Sequence, residues 1–197
     1  MKTALALTFA SILGLSACDK PSASPAAAAG SATTSAALAA PGPHDPGSPN
    51  GNADPLVGRP APDFSATAQD GTTVRLASLK GKQVVLYFYP EDETPGCTKE
   101  ACSFRDSWDA IGKTGAVLIG ISADTQESHK AFVSHYGLPF LLVSDADGTI
   151  AKSFGVPFAG HHDRQTVVIG ADGNVKKVYR KVNVATHASQ IVHDLST

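Results

Sequence analysis

From residue 64 to the C-terminus the hydrophobic positions follow two alternating rhythms. Val84 to Tyr89 (VVLYFY) is an unbroken β-branched and aromatic run, the pattern of a strand buried on both faces. Pro90 ends it. Thr98 to Ile111 then carries Phe104, Trp108 and Ile111 at helical spacing, closed by Gly112 and Gly115. The alternation repeats with a strand at Ala116 to Ile121 and a helix at Thr125 to Tyr136, ended by Gly137. A short strand at Phe140 to Val143 and a short helix at Thr149 to Phe154, ended by Gly155, complete it. Two turn signals, Asp70-Gly71 and Asp172-Gly173, each separate strand-like runs. Phe64 to Thr67 pairs with Thr72 to Leu76, and Gln165 to Ile169 with Val175 to Arg180. His187 to Leu195 forms a last helix, with Thr186 placed as its N-cap. This order predicts an α/β architecture, a central mixed β-sheet flanked by helices. It does not fix the strand order.

The first quarter of the chain has neither rhythm. Met1 and Lys2 give a positive start, and Thr3 to Leu15 is almost wholly apolar, which matches a secretory signal and is short for a membrane span. The run ends in LSAC, Leu15 to Cys18, which resembles the processing site of bacterial lipoproteins. On that reading residues 1–17 are removed and Cys18 carries lipid; the alternative is an ordinary signal cleaved near Ala17. Asp19 follows, as in lipoproteins that some bacteria retain at the inner membrane. From Lys20 to Asp54 the chain is Ala, Ser, Pro, Gly and Thr with few large apolar residues. Such a segment cannot offset its ordering entropy by burial, so residues 18–54 read as a disordered tether. As a flexible coil it would span about 30 Å. Residues 55–197 are the right size for one domain with one core. The expected location is the cell envelope, facing the periplasm and anchored to a membrane through Cys18.

Charge removes one class of function. The formal net charge is −2 and no basic stripe is visible, so nucleic-acid binding has no electrostatic support. Of the 3 cysteines, setting Cys18 aside leaves Cys97 and Cys102, five positions apart. That pair is either redox-active or a small structural disulfide.

The segment YFYPEDETPGCTKEAC, Tyr87 to Cys102, sets a buried strand, a polar loop and then Cys97 at a helix start. Unpaired N–H groups and the positive end of the helix dipole favour a thiolate there, which is the nucleophilic form of cysteine. Thr94 can bring a hydroxyl into the same pocket. Pro95 and Gly96 make the turn, and Pro90 can cover the sulfur.

Pro90, Thr94 and Cys97 fit the Pro-x-x-x-Thr-x-x-Cys signature of peroxiredoxins, and TPGCTKEACSFRD resembles the branch called bacterioferritin comigratory protein or peroxiredoxin Q. The resemblance continues through PxFSATAQDGTTVRLASLKGK, GISADTQESHKAF, SDADGTIAKSFGV and RQTVVIGADG, in order, to the C-terminus. It implies a thioredoxin-like fold and a thiol-dependent peroxidase acting on hydrogen peroxide and small organic hydroperoxides. It also implies that Cys97 attacks the O–O bond and becomes a sulfenic acid. Thr94 would orient the peroxide, and Arg164 would stabilise the thiolate and the charge developing on oxygen. Cys102 would resolve the sulfenic acid as a Cys97–Cys102 disulfide, reopened by a thioredoxin-like or other thiol reductant. No metal, haem or flavin is implied. In an intact helix, positions i and i+5 lie roughly 8–9 Å apart between Cα atoms, whereas a disulfide needs less than about 7 Å. The helix start, about Cys97 to Phe104, must therefore open during the cycle.

Two other functions fit parts of the pattern. A thioredoxin-type thiol–disulfide oxidoreductase usually has Cys-x-x-Cys, one of the differences from this chain. A copper chaperone on the same fold would combine the cysteines with His135, His161 or His162. His44 falls in the tether. His129, His187 and His193 fall on helices and are expected to face solvent, as is the acidic run Glu91, Asp92 and Glu93. Trp108 is expected to serve packing.

Overall fold

In a computed structural model that describes residues 54–197, β3 (Val84–Phe88) lies at the centre of everything else. All five of its residues are buried. Val84, Leu86 and Phe88 point into one apolar cluster, while Val85, Tyr87 and the following Tyr89 point into another. A strand that alternates between two cores has no polar face to show, which accounts for the continuous run.

The chain runs through β1 (Ser65–Thr67), β2 (Thr73–Arg75), a single 3-10 turn (Leu76–Leu79), β3, α1 (Pro95–Asp106) and α2 (Trp108–Lys113). It continues through β4 (Val117–Ser122), α3 (Gln126–Tyr136), β5 (Leu141–Ser144), α4 (Thr149–Ser153), β6 (Gln165–Ile169), β7 (Val175–Tyr179) and α5 (His187–Leu195). The main sheet has the order β5-β4-β3-β6-β7. β3, β4 and β5 are parallel neighbours, and β6 and β7 are antiparallel, so the sheet is mixed as expected. The β1–β2 hairpin stands apart and touches the sheet edge through the Ala68–Val143 bridge. One face of the sheet is covered by α1, α2, α3 and α5, through Phe104, Ile111, Phe132 and Ile191. The other is covered by the hairpin and α4, through Val74, Ala151 and Phe154.

Punctuation residues behave as their chemistry dictates. Thr125 caps α3, its hydroxyl accepting from Ser128 N–H, and Gly137 ends α3 at φ 62° in the left-handed region that suits glycine. At the boundary of the described residues, Asp54 pairs with Arg180 at 2.7 Å.

Three expectations need correction. The helix expected over Thr98 to Ile111 starts earlier, at Pro95, and is two helices. Ser107 leaves helical geometry at φ −94° and ψ 6°, and its N–H turns back to the Ser103 and Arg105 carbonyls. The bend lets Trp108 pack beside Phe140, with ring centroids 6.0 Å apart. Thr186 is the N-cap of α5 as expected, its carbonyl accepting from Gln190 N–H, though without a side-chain capping bond; the Asn183 carbonyl accepts the N–H groups of Thr186 and His187. His129 and His187 do not face solvent: both are fully buried, paired with Asp92 and Thr166 respectively. The acidic run is not uniformly solvated either, because Asp92 is buried while Glu91 and Glu93 are exposed. His193 is exposed as expected. The signal, Cys18, His44 and all of the tether except Asp54 lie outside the described residues.

Candidate active site

Antiparallel pairing of β6 with β3 decides where the site forms. The register sets Phe88 opposite Gln165, so the end of β3 lies beside the start of β6. Arg164 immediately precedes β6, and the polar loop leading to α1 immediately follows β3. A side chain 67 positions later in the chain is thereby delivered to Cys97.

Pro95 occupies the first turn of α1. Its fixed φ suits a helix start, and the N–H it lacks would have had no intrahelical partner. Cys97 follows two residues later, at the end of the helix where N–H groups outnumber acceptors. It is a free thiol, only 2% exposed, packed in the cluster that holds Tyr87, Tyr89, Ala101 and Phe104. Bulky groups cannot reach such a sulfur without movement.

Arg164 Nη2 donates to Cys97 Sγ at 3.0 Å. Its Nη1 donates to Glu100 Oε2, so one planar fork holds two residues of α1. Gly96 passes close by: a Cβ added there would lie 3.4 Å from Nη2. Burial alone would lower the Arg164 pKa, but Glu100 and Cys97 outweigh it and hold the guanidinium more firmly protonated than usual. Glu100 is 1% exposed. Burial pushes its carboxyl up to about 7, against the opposing pull of Arg164. Its second oxygen, Oε1, is buried with no hydrogen-bond partner among the described residues. The Tyr87 phenol nearby is held well above its usual range, first by burial and then by the charges of Glu100, Asp92 and Cys97.

Thr94 is the N-cap of α1 by backbone geometry, its carbonyl accepting from Thr98 N–H at 2.8 Å. The Thr94 hydroxyl donates to the Glu91 carbonyl at 3.0 Å. This leaves its oxygen lone pairs for another donor. Pro90 is partly exposed and lines a cleft of about 440 Å³ with Glu91, Ala123, Asp124, Gly160 and His161. Cys102 is buried five positions along the same helix as Cys97. Cys97 and Arg164 are thus brought into contact, with Thr94 at the helix start and Pro90 at the loop's far end.

Glu100 escaped sequence reasoning, although one signal pointed to it. It falls three residues after Cys97, the spacing that puts two side chains on one helix face. A carboxylate on a face with Cys97, Ala101 and Phe104 needs a cationic partner. The copper arrangement does not form. His135 is exposed beside Glu93, His161 is exposed, and His162 is buried against Asp145 at 3.0 Å. Among the described residues, the one group with ligand atoms close enough to share an ion is Asp92, Asp124 and His129, which contains no cysteine.

A buried, guanidinium-bound thiol at a helix start is an arrangement suited to thiol peroxidase chemistry. Comparison with known proteins specifies the kind. The AhpC/TSA family model matches residues 57–178, and the chain belongs to that family. It is 42% identical over 144 residues to the putative peroxiredoxin bcp of Coxiella burnetii, covering 69% of this chain and 95% of the relative. It is 53% identical over 121 residues to the chloroplastic peroxiredoxin Q of Triticum aestivum, covering 60% of this chain and 56% of that longer protein. Peroxidoxin BcpB of Mycobacterium tuberculosis superposes with a TM-score of 0.67 and 36% identity, over 72% of this chain and 96% of that one. Xanthomonas campestris peroxiredoxin Q does so with a TM-score of 0.65 and 33% identity, over 68% and 89%. The activity is that of a thiol-dependent peroxidase, and the thioredoxin-type alternative is not favoured.

Proposed function

We propose that Cys97 is the sulfur that reduces hydroperoxides, and that its cycle closes through Cys102. The observation that carries this reading is the 3.0 Å donation from Arg164 to Cys97 Sγ at the first turn of α1. The Cys97 thiolate attacks the nearer oxygen of ROOH; the S–O bond forms as the O–O bond breaks. Cys97 becomes a sulfenic acid, and RO⁻ leaves and takes a proton as water or an alcohol. Arg164 is placed to stabilise charge moving from sulfur to oxygen, because its donors are already fixed before reaction. Thr94, its hydroxyl hydrogen directed to the Glu91 carbonyl, is placed to accept from the peroxide. Cys102, as a thiol, then attacks the sulfenic sulfur, giving the Cys97–Cys102 disulfide and water. An external dithiol reduces it and is itself oxidised.

The setting belongs to the same proposal. The apolar run ending in LSAC supports a lipid at Cys18 and a domain held outside the cytoplasm by the tether. The reductant, a thioredoxin-like or other thiol protein, then has to work in that compartment.

The deciding experiment is intact mass after peroxide treatment of the wild type, Cys97→Ser and Cys102→Ser. The expected results are an internal disulfide in the wild type, an overoxidisable sulfur in Cys102→Ser and no reaction in Cys97→Ser. Rapid peroxide consumption by Cys97→Ser would end the proposal.

A further inference from the structure

The loop between Pro90 and Thr94 contains an uncommon backbone conformation, inside the tight turn that the Thr94 N–H closes on the Asp92 carbonyl. Glu93 has φ 60°, the only positive φ at a non-glycine position among the described residues. A residue with a Cβ adopts it only when its surroundings impose it.

The restraint comes from α3, at both of its ends. Near its start, Ser128 Oγ donates to Asp92 Oδ2 at 2.8 Å and His129 Nδ1 lies 2.9 Å from the same oxygen. A carboxylate only accepts, so Nδ1 carries the proton. At its end, His135 Nδ1 and Tyr136 OH reach the two Glu93 oxygens at 3.2 and 3.1 Å. Tyr89 OH donates to Asp92 Oδ1 at 2.8 Å, and Asp92 N–H donates to Asp124 Oδ2 at 2.9 Å. Asp92 passes this restraint forward: its carbonyl accepts from Thr94 N–H at 2.8 Å, and Thr94 caps the helix that presents Cys97.

The His129 and Asp92 side chains are 0% and 2% exposed. Replacing such a buried pair by apolar residues of the same shape often costs little stability, whereas removing one partner leaves the other buried and uncompensated. We propose that His129, acting through Asp92, is a positioning residue that holds the strained Glu93 loop and so sets the reactivity of Cys97. The proposal rests on the peroxidase reading of Cys97.

The test is the single-turnover rate of Cys97 oxidation by hydrogen peroxide in the full chain, for the wild type, His129→Leu, His129→Asn and His129→Gln. His129→Leu should slow oxidation about tenfold, the loss expected for one charge-assisted hydrogen bond. The amide nitrogen of Asn falls where Nδ1 stood, while that of Gln falls nearer Nε2. The clamp therefore predicts that His129→Asn stays within about threefold of wild type and His129→Gln behaves like His129→Leu. Packing alone predicts the reverse, because Gln is the closer match in length. This pair decides the matter even if His129→Leu fails to fold. Oxidation at the wild-type rate in a folded His129→Leu, or His129→Asn no faster than His129→Gln, overturns the proposal. A wild-type chain whose Cys97 does not react with peroxide overturns the peroxidase reading itself, and this inference with it.

Discussion

Glu100 stands one turn after Cys97 on α1, and both side chains bind the same guanidinium, that of Arg164. The arrangement makes the cation bidentate in function: one nitrogen on the carboxylate, the other on sulfur. Lysine has one nitrogen and cannot reproduce this fork. Arg164→Lys should therefore lose most of the peroxide reaction, not a small part. Removing a preorganised donor of this kind typically costs about 100-fold or more, and Arg164→Met should fall by at least that much. Second-order rate constants with hydrogen peroxide for both variants check this. A lysine variant within about threefold of wild type would show that charge alone suffices.

Two buried groups should give the folded protein opposite responses to pH. Glu100 ordinarily titrates near 4.5, and burial raises it to about 7. Between those values the folded state holds a proton that the unfolded chain has lost, so this contribution weakens as pH rises. His187 ordinarily titrates near 6.5; burial lowers it to about 4, helped by Arg164 and opposed by its bond to Gln190. Between those values the unfolded chain binds the extra proton, so this contribution is lost as pH falls. The windows overlap from about 4.5 to 6.5, and wild-type stability should be nearly flat there. Glu100→Gln should expose the His187 slope, with stability rising with pH. His187→Asn should expose the Glu100 slope, with stability falling. Each swing is up to roughly 3 kcal/mol at 1.4 kcal/mol per pKa unit. Urea denaturation across this range measures both, and parallel slopes in the two variants would contradict the assignment.

Gly120 illustrates a packing constraint that links the sheet to the site. It lies in β4 opposite Tyr87, and an added Cβ would sit 2.7 Å from the Tyr87 hydroxyl and 2.5 Å from Leu142. The Tyr87 ring is confined against Tyr89 and Phe104, so it has little room to retreat. Gly120→Ala should destabilise the protein by about 1–3 kcal/mol through overpacking. Thermal unfolding measures it, and an unchanged midpoint would show that the core yields at this point.

What the sequence made legible is what local pattern controls. The VVLYFY run, the Asp172-Gly173 hairpin and the closure of α3 by Gly137 each follow from nearby residues, and each stands where expected. Arg164 is different: its contact with Cys97 depends on antiparallel pairing of β6 with β3, which no local pattern encodes. Only the family resemblance singled it out. Asp92, His129 and His187 were misread for a related reason. Polarity is ordinarily a sign of exposure, and their burial is tolerated only because partners arrive from distant elements. The break at Ser107 was hidden because Phe104, Trp108 and Ile111 keep nearly helical spacing across it.

The helix that presents Cys97 should also govern the step after oxidation. Cys97 and Cys102 both lie within α1, where five positions place Cα atoms roughly 8–9 Å apart, beyond disulfide reach. If Cys102 resolves the sulfenic acid, disulfide closure requires α1 to open first, and its rate should follow local helix stability. Ser103 tests this without touching either cysteine, since its hydroxyl bonds back to the Lys99 carbonyl at 2.9 Å. Ser103→Ala should slow closure about twofold and Ser103→Gly should speed it about twofold, from propensity differences near 0.5 kcal/mol each way. Oxidation by peroxide should be unchanged in both, because it occurs on the folded helix. Trp108, the chain's 1 tryptophan, begins the adjoining α2 and supplies a stopped-flow fluorescence signal for the opening. Closure rates that ignore both substitutions would mean that α1 stays wound, and that another thiol does the resolving.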